Sequence, residues 1–233
     1  MFLSELLSKL AKAELVNLSM SVDGEITEPN HQKVVDYVNE ALLRLHSRFV
    51  LREDDVLIEM YEGISTYELK AQYAMSYEGD IQVHRKYIVD IGPKKFADDV
   101  IRITGAFDSL GHELELNNQL APAGLFTPRP KVLQVTAPIP GQSLSVVYQA
   151  KHPKLVVENM EDQEIEIPEI LDGALTSYVG FMAFNFLGGA ENLARATTFM
   201  QLHDKICLEI EEKDGMGTNT RSHSDVFEMR GFV

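Results

Sequence analysis

The residues predict an α+β protein. Helices from the two ends of the chain form a bundle, an antiparallel β-sandwich or barrel module is inserted between them, and an extended C-terminal arm follows. Three observations carry this. Residues 165–213 read as two consecutive helices joined at Gly188-Gly189. The hydrophobic period changes from helical to alternating at Val56 and returns to helical only near Pro168. Beyond Lys213 neither period continues.

Residues Phe2 to Leu18 predict a first helix, with Leu3, Leu6, Leu7, Leu10, Ala13 and Leu15 inward and Lys9, Lys12 and Glu14 outward. Asp23-Gly24 then breaks the chain direction. Glu28-Pro29-Asn30 opens a second helix whose stripe is Val34, Val35, Val38, Ala41, Leu42, Leu45 and Phe49. Arg44, His46, Arg48 and Arg52 gather at its end. Dipole compensation accounts for them, and so does salt-bridging to an acidic neighbour.

Val56–Tyr61 and Ser65–Leu69 flank Glu62-Gly63-Ile64 and read as a hairpin. Val100–Thr104 and Glu113–Asn117 flank a turn at Asp108–Gly111 and read as a second. Val132–Val135 and Leu144–Gln149 are joined through Pro138-Ile139-Pro140-Gly141. Six short strands with Gly/Pro turns imply a small sheet, sandwich or barrel. The proline-rich run from Ala121 to Pro130 reads as a long surface loop without regular structure, its tip carrying Leu125, Phe126 and Arg129.

Pro168 fits the first position of a helix running to about Leu187. Phe181 and Phe184 add a second apolar face to its stripe, so this helix needs cover on more than one side. Asp172, Asn185 and the short apolar run argue against a membrane span. The next helix, Ala190 to about Lys213, is two-faced, with Leu193, Ala196, Met200, Cys207 and Ile210 set against Glu191, Arg195, Asp204 and Glu211. The expected division is 1–50 with 165–213 as the helical domain, 51–164 as the β domain and 214–233 as the arm. Val226, Phe227, Met229, Phe232 and Val233 are dense for a disordered tail, which favours an arm that orders against a partner. Extended from Met216, it would reach roughly 60 Å at about 3.3 Å per residue.

With 233 residues and a formal charge of −15, sequence-independent binding to DNA phosphates is a poor reading. Cys207, the single cysteine, excludes an internal disulfide, fits a reducing compartment and is expected to be buried packing. Met1–Glu5 lacks the basic start of a secretory signal, so a soluble protein is expected.

Catalytic motifs are missing: there is no G-x-S-x-G, H-E-x-x-H, Walker A or G-x-G-x-x-G. His112-Glu113 has no P-C-x-x-C to complete a zinc deaminase site. Asp54-Asp55 and Asp98-Asp99 lack calcium-loop spacing and read as solvated turn carboxylates. The histidines lack metal-ligand spacing, so no catalytic residue, metal or cofactor is expected. Tyr61, Tyr67, Tyr73, Tyr77 and Tyr87 suit cross-strand packing or, where exposed, an interface.

One run is more specific. Val35-Asp36-Tyr37-Val38-Asn39-Glu40-Ala41-Leu42-Leu43-Arg44-Leu45-His46-Ser47-Arg48-Phe49 resembles the second helix of head-to-tail adaptor proteins of tailed bacteriophages, with their Y-V-N-x-x-L pattern and closing R-F. Similar blocks follow in order: Tyr67-Glu68-Leu69, Phe96–Ile103, Leu114–Asn117, Phe126-Thr127-Pro128, Val147–Ala150, then Ile167-Pro168 with Leu175 and Tyr178-Val179. The resemblance spans about Leu15 to Lys213.

It implies a virion structural protein and not an enzyme: a homo-oligomeric ring of subunits, usually twelve, between portal and tail, through which the genome passes without sequence-specific binding. By that resemblance the arm, through Met216, Arg221, Val226, Phe227, Met229, Arg230, Phe232 and Val233, reaches the portal protein. Tyr178, Phe181, Phe184 and Phe199 are candidates for the contact between subunits. Leu125, Phe126 and Arg129 are candidates for facing the tail tube or nozzle protein. A tail terminator, a β-sandwich recognition module on a helical stalk, and a hydrolase using paired carboxylates are the alternatives.

Overall fold

The computed structural model describes residues 1–16, 18–79, 85–90, 95–120 and 124–213. The chain is α+β and divides into two compact units, Met1–Phe49 with Lys154 onward, and Val50–Pro153.

The first unit holds four helices: α1 (Leu3–Lys12), α2 (His31–Arg48), α3 (Asp172–Leu187) and α4 (Ala190–Glu212). Helix α3 packs on both α2 and α4. Its apolar residues run all round, and Ala174, Leu175, Val179 and Ala183 are fully buried between those neighbours. The stretch Glu169–Leu187 is long and apolar enough to cross a membrane, but 56% of its window is buried inside the fold, as in a core helix. Gly188 and Gly189, at φ 65° and 82°, break α3 from α4 where the sequence places the hinge, in a region that side-chain-bearing residues avoid.

Two helix starts and stops differ from expectation. Pro168 is extended (φ −60°, ψ 140°) and precedes a single 3-10 turn, so α3 begins at Asp172. Helix α1 ends at Lys12 rather than Leu18, because Ala13 leaves helical geometry and the Leu15 N–H reaches back to the Leu10 carbonyl at 2.9 Å. That turn still buries Leu15 and Leu18. It leads into a two-stranded hairpin, β1 (Ser21–Val22) and β2 (Glu25–Ile26), turned by Asp23-Gly24. The Asp-Gly pair was the available hairpin signal there.

The second unit holds β3 (Glu53–Glu59), β4 (Thr66–Glu68), β5 (Ile88–Val89), β6 (Val100–Phe107), β7 (Leu125–Arg129), β8 (Val132–Val135) and β9 (Ser143–Ala150). They form two open antiparallel sheets, ordered β5-β3-β9-β6 and β4-β8-β7, so the barrel alternative does not apply. Both sheets feed one apolar core containing Val56, Ile58, Tyr67, Leu133, Val146 and Tyr148.

Neither of the two expected hairpins forms as such. β3 pairs with β9 over seven residues, while β4 pairs with β8 in the other sheet. Residues 113–117 contribute only isolated bridges, Phe107 to Glu113 and Leu116 to Leu125. The stretch Leu125–Arg129 is strand β7 and not loop. It lies at a sheet edge, where the missing N–H of Pro128 costs no ladder bond, and its register slips between Phe126 and Arg129.

Candidate functional site

The seam between α3 and α4 gathers all four aromatic residues singled out from the sequence. Phe184 stacks on Phe199 at 5.5 Å between ring centroids, and Tyr178 lies 5.5 Å from Phe181. Tyr178 and Phe184 are buried, and Phe181 and Phe199 half-buried. The helices approach closely because residue 180 is glycine: a Cβ there would sit 3.1 Å from the Phe199 ring.

A polar lock ties α2 to α4 beside this seam. Arg48 Nε donates to Glu211 Oε1 at 2.7 Å and its Nη2 to Oε2 at 2.9 Å. Arg44 and Arg48 also reach Asp204, at 3.8 and 3.6 Å. The hydrogen bond from Arg48 holds the Glu211 carboxyl below its ordinary range. Arg44 and Arg48 at the end of α2 are therefore ion-paired within the chain.

His203 is fully buried, and its Nδ1 donates to the Ala174 carbonyl at 2.9 Å. Nε2 is then the acceptor, facing the Cys207 thiol at 3.9 Å. Burial pushes the imidazole pKa down and the thiol pKa up, so both groups stay neutral. A neutral thiol with no exposure is packing and not a nucleophile, as the sequence suggested.

Around this seam the helices leave apolar side chains uncovered. Phe186 and Leu187 stand at the hinge, with Lys33 Nζ 3.0 Å above the Phe186 ring. On α4, Leu193, Leu202 and Leu208 are 46%, 44% and 51% exposed. Leu202 follows Leu193 by nine residues, roughly half a revolution at about 100° per residue, so the two lie on opposite flanks of α4. Leu208 falls on the Leu193 side. The sequence signal for these was weak, since a lone leucine among polar residues reads as an edge of the buried face.

In the β unit, Leu125 is buried, Phe126 half-buried and Arg129 exposed, all on β7. Asp54 departs from its reading as a solvated turn carboxylate: it is buried in β3, 3.4 Å from Arg52. Arg52 also lies 3.8 Å from Asp99, which accepts a hydrogen bond from the Tyr148 hydroxyl at 3.1 Å. A cavity of about 150 Å³ adjoins this group, but among the described residues no cluster could hold a metal ion. The arm residues Met216, Arg221, Val226, Phe227, Met229, Arg230, Phe232 and Val233 lie outside the described residues.

Fold and surface together define an α+β protein whose helix α4 keeps apolar groups uncovered on two flanks. The chain belongs to the SU10 adaptor protein family, whose model matches residues 1–222. It is a bacteriophage structural protein of the adaptor class, as the resemblance in α2 implied. Membership implies assembly with portal and tail proteins in the neck or tail of the virion. No curated protein matches the chain.

Proposed function

We propose that the protein forms the head-to-tail adaptor ring between portal and tail, with the genome passing through the channel it encloses. The observation that supports a ring is the pair of apolar flanks on α4. A subunit in a closed ring has a different neighbour on each side, so it needs two non-identical contact surfaces. Leu193 and Leu202 occupy such positions and are exposed in the single chain.

In this reading the unit of Met1–Phe49 with Lys154 onward acts as the bundle that builds the wall. Of the four candidates for the contact between subunits, Phe181 and Phe199 stay half-exposed at the aromatic seam and can meet a neighbour. Tyr178 and Phe184 are buried within the chain and set the α3–α4 spacing beneath them. The unit Val50–Pro153, which ends short of the boundary the sequence suggested, is the β-sandwich turned toward the tail protein, with Leu125, Phe126 and Arg129 on that module. Residues 214–233 form an arm that orders on the portal. A copy number of twelve is the expectation from the family. With a formal charge of −15, the subunit suits a lumen along which phosphates slide without sticking.

Native mass spectrometry and electron microscopy of the purified chain, alone and with its cognate portal, test the reading. Rings that cap the portal are expected, and deletion of residues 216–233 should abolish capping while leaving the fold of residues 1–213 intact. A chain that stays monomeric in the presence of portal sinks the proposal.

A further inference from the structure

Among the described residues, three of the most exposed large apolar side chains lie at one end of the β unit. They are Leu110, Leu120 and Ile139, at 78%, 91% and 53% exposure. The register puts them there. Phe107 at the end of β6 pairs with Ser145 near the start of β9, so the turn after β6 and the turn before β9 leave the sheet at the same end. Leu125 at the start of β7 pairs with Val135 at the end of β8, which brings the segment around Leu120 to that end as well. The chain enters and leaves the unit beside the opposite end, where Glu53 pairs with Gln149.

These tips are held in place. The Asp108 carboxylate accepts the N–H groups of Leu110 at 2.8 Å and His112 at 2.9 Å, and the Asp108 N–H donates to the His112 carbonyl at 3.0 Å. Asn118 Oδ1 accepts the Leu120 N–H at 2.9 Å. Ile139 sits between Pro138 and Pro140 in a turn closed by the Gln142 N–H on its carbonyl at 3.1 Å. A braced turn has lost backbone freedom before any partner arrives, which lowers the cost of docking the side chain it carries.

The charge around the tips selects the partner. Segments 60–65, 108–120 and 136–142 contain Glu62, Asp108, Glu113 and Glu115 and no Lys or Arg. Arg85, over the Tyr61 ring at 4.7 Å, returns one cation against those four carboxylates. Nucleic acid, anionic lipid and a second copy of this acidic chain are all disfavoured by such a rim.

We propose that this rim is a docking surface for a second polypeptide with cationic groups around apolar recesses that accept Leu110, Leu120 and Ile139. This rests on the adaptor reading, under which that polypeptide is the tail component. The test uses full-length chain carrying Leu110→Ser, Leu120→Ser and Ile139→Ser together, with purified cognate tail component and purified portal as separate probes. Thermal unfolding checks that the variant keeps the wild-type fold.

Portal binding should be unchanged. Tail binding should weaken up to about a thousandfold, since burying each of the three side chains contributes roughly tenfold. Wild-type tail binding should itself weaken as salt rises. Tail binding indifferent to the three substitutions, with portal binding intact, overturns the rim alone. So does a changed self-association state in the variant, or wild-type binding to phosphatidylglycerol vesicles that the substitutions abolish. Wild-type chain that binds neither probe overturns the adaptor reading and this one with it.

Discussion

The side-chain amide of Asn39 hydrogen-bonds both backbone groups of Leu155, donating from Nδ2 to the carbonyl and accepting the N–H at Oδ1, each at 2.9 Å. The asparagine of the Val38-Asn39 motif in α2 thereby substitutes for a strand neighbour to the chain that leads back toward α3. Leu155 is 3% exposed, so its peptide groups have little recourse to water.

Asn39→Ala should therefore cost about 2 kcal/mol, the scale for stranding partly buried polar groups. Asn39→Asp keeps the acceptor but sets a carboxylate against the Leu155 carbonyl, and should cost as much. Urea unfolding of the three proteins measures both. A midpoint unchanged in Asn39→Ala contradicts this role.

The Arg48–Glu211 pair predicts a pH dependence whose sign is fixed. Arg48 lowers the Glu211 pKa in the folded chain below its ordinary 4.5, so the unfolded chain takes up the proton first as pH falls. The stabilisation is fully present above that ordinary value and is lost as pH drops through the folded one. The pair is partly exposed, at 25% and 42%, so about 0.5 to 1 kcal/mol is expected after screening. Glu211→Gln should lower the thermal midpoint at pH 7, and this deficit should shrink in acid and in high salt. An equal deficit at every pH would assign the loss to packing instead.

Close approach of α3 and α4 depends on Gly180. Alanine there brings a Cβ to 3.1 Å from Phe199, an overpacking that costs about 1 to 3 kcal/mol against a gain of about 1 from helix propensity. Gly180→Ala should destabilise on balance. Adding Phe199→Leu, which withdraws the ring, should restore part of the loss. Non-additivity in calorimetry of the double variant is the signature.

How much of this was legible follows from the range of each interaction. The stripe of α2 and the break at Gly188-Gly189 are local, and the structure has both. The start of α3 was misplaced because Pro168 is equally at home in the extended turn it occupies. Strand pairing was not legible, since β9 is matched to β3 and β6 across long stretches of chain and nothing local to Ser65–Leu69 says which sheet it joins. Pro128 misled for the same reason: only the sheet order reveals that its strand is an edge. Of the site, the aromatic residues of α3 were readable as needing cover. Which neighbour covers them was not, because Phe199 lies on another helix. Leu110 and Ile139 sit in turns whose residues announce a turn, not the exposure of its tip.

Ring closure makes a prediction about mixtures. Leu193 and Leu202 lie on opposite flanks of α4 and are about half exposed, so a glutamate at either should change fold stability by no more than about 0.5 kcal/mol. In a head-to-tail contact, Leu193→Glu spoils one surface and leaves the other able to bind. Leu202→Glu spoils the complementary surface. Each variant alone should be monomeric, because its intact surface finds only spoiled partners. Mixed in equal amounts, the intact flank of one meets the intact flank of the other, and the product has a spoiled surface at both ends. Native mass spectrometry should then show a heterodimer that grows no further. If the contact were instead two-fold, with the same flank meeting itself, each variant would retain one self-complementary surface or lose assembly outright, and mixing would generate no new species.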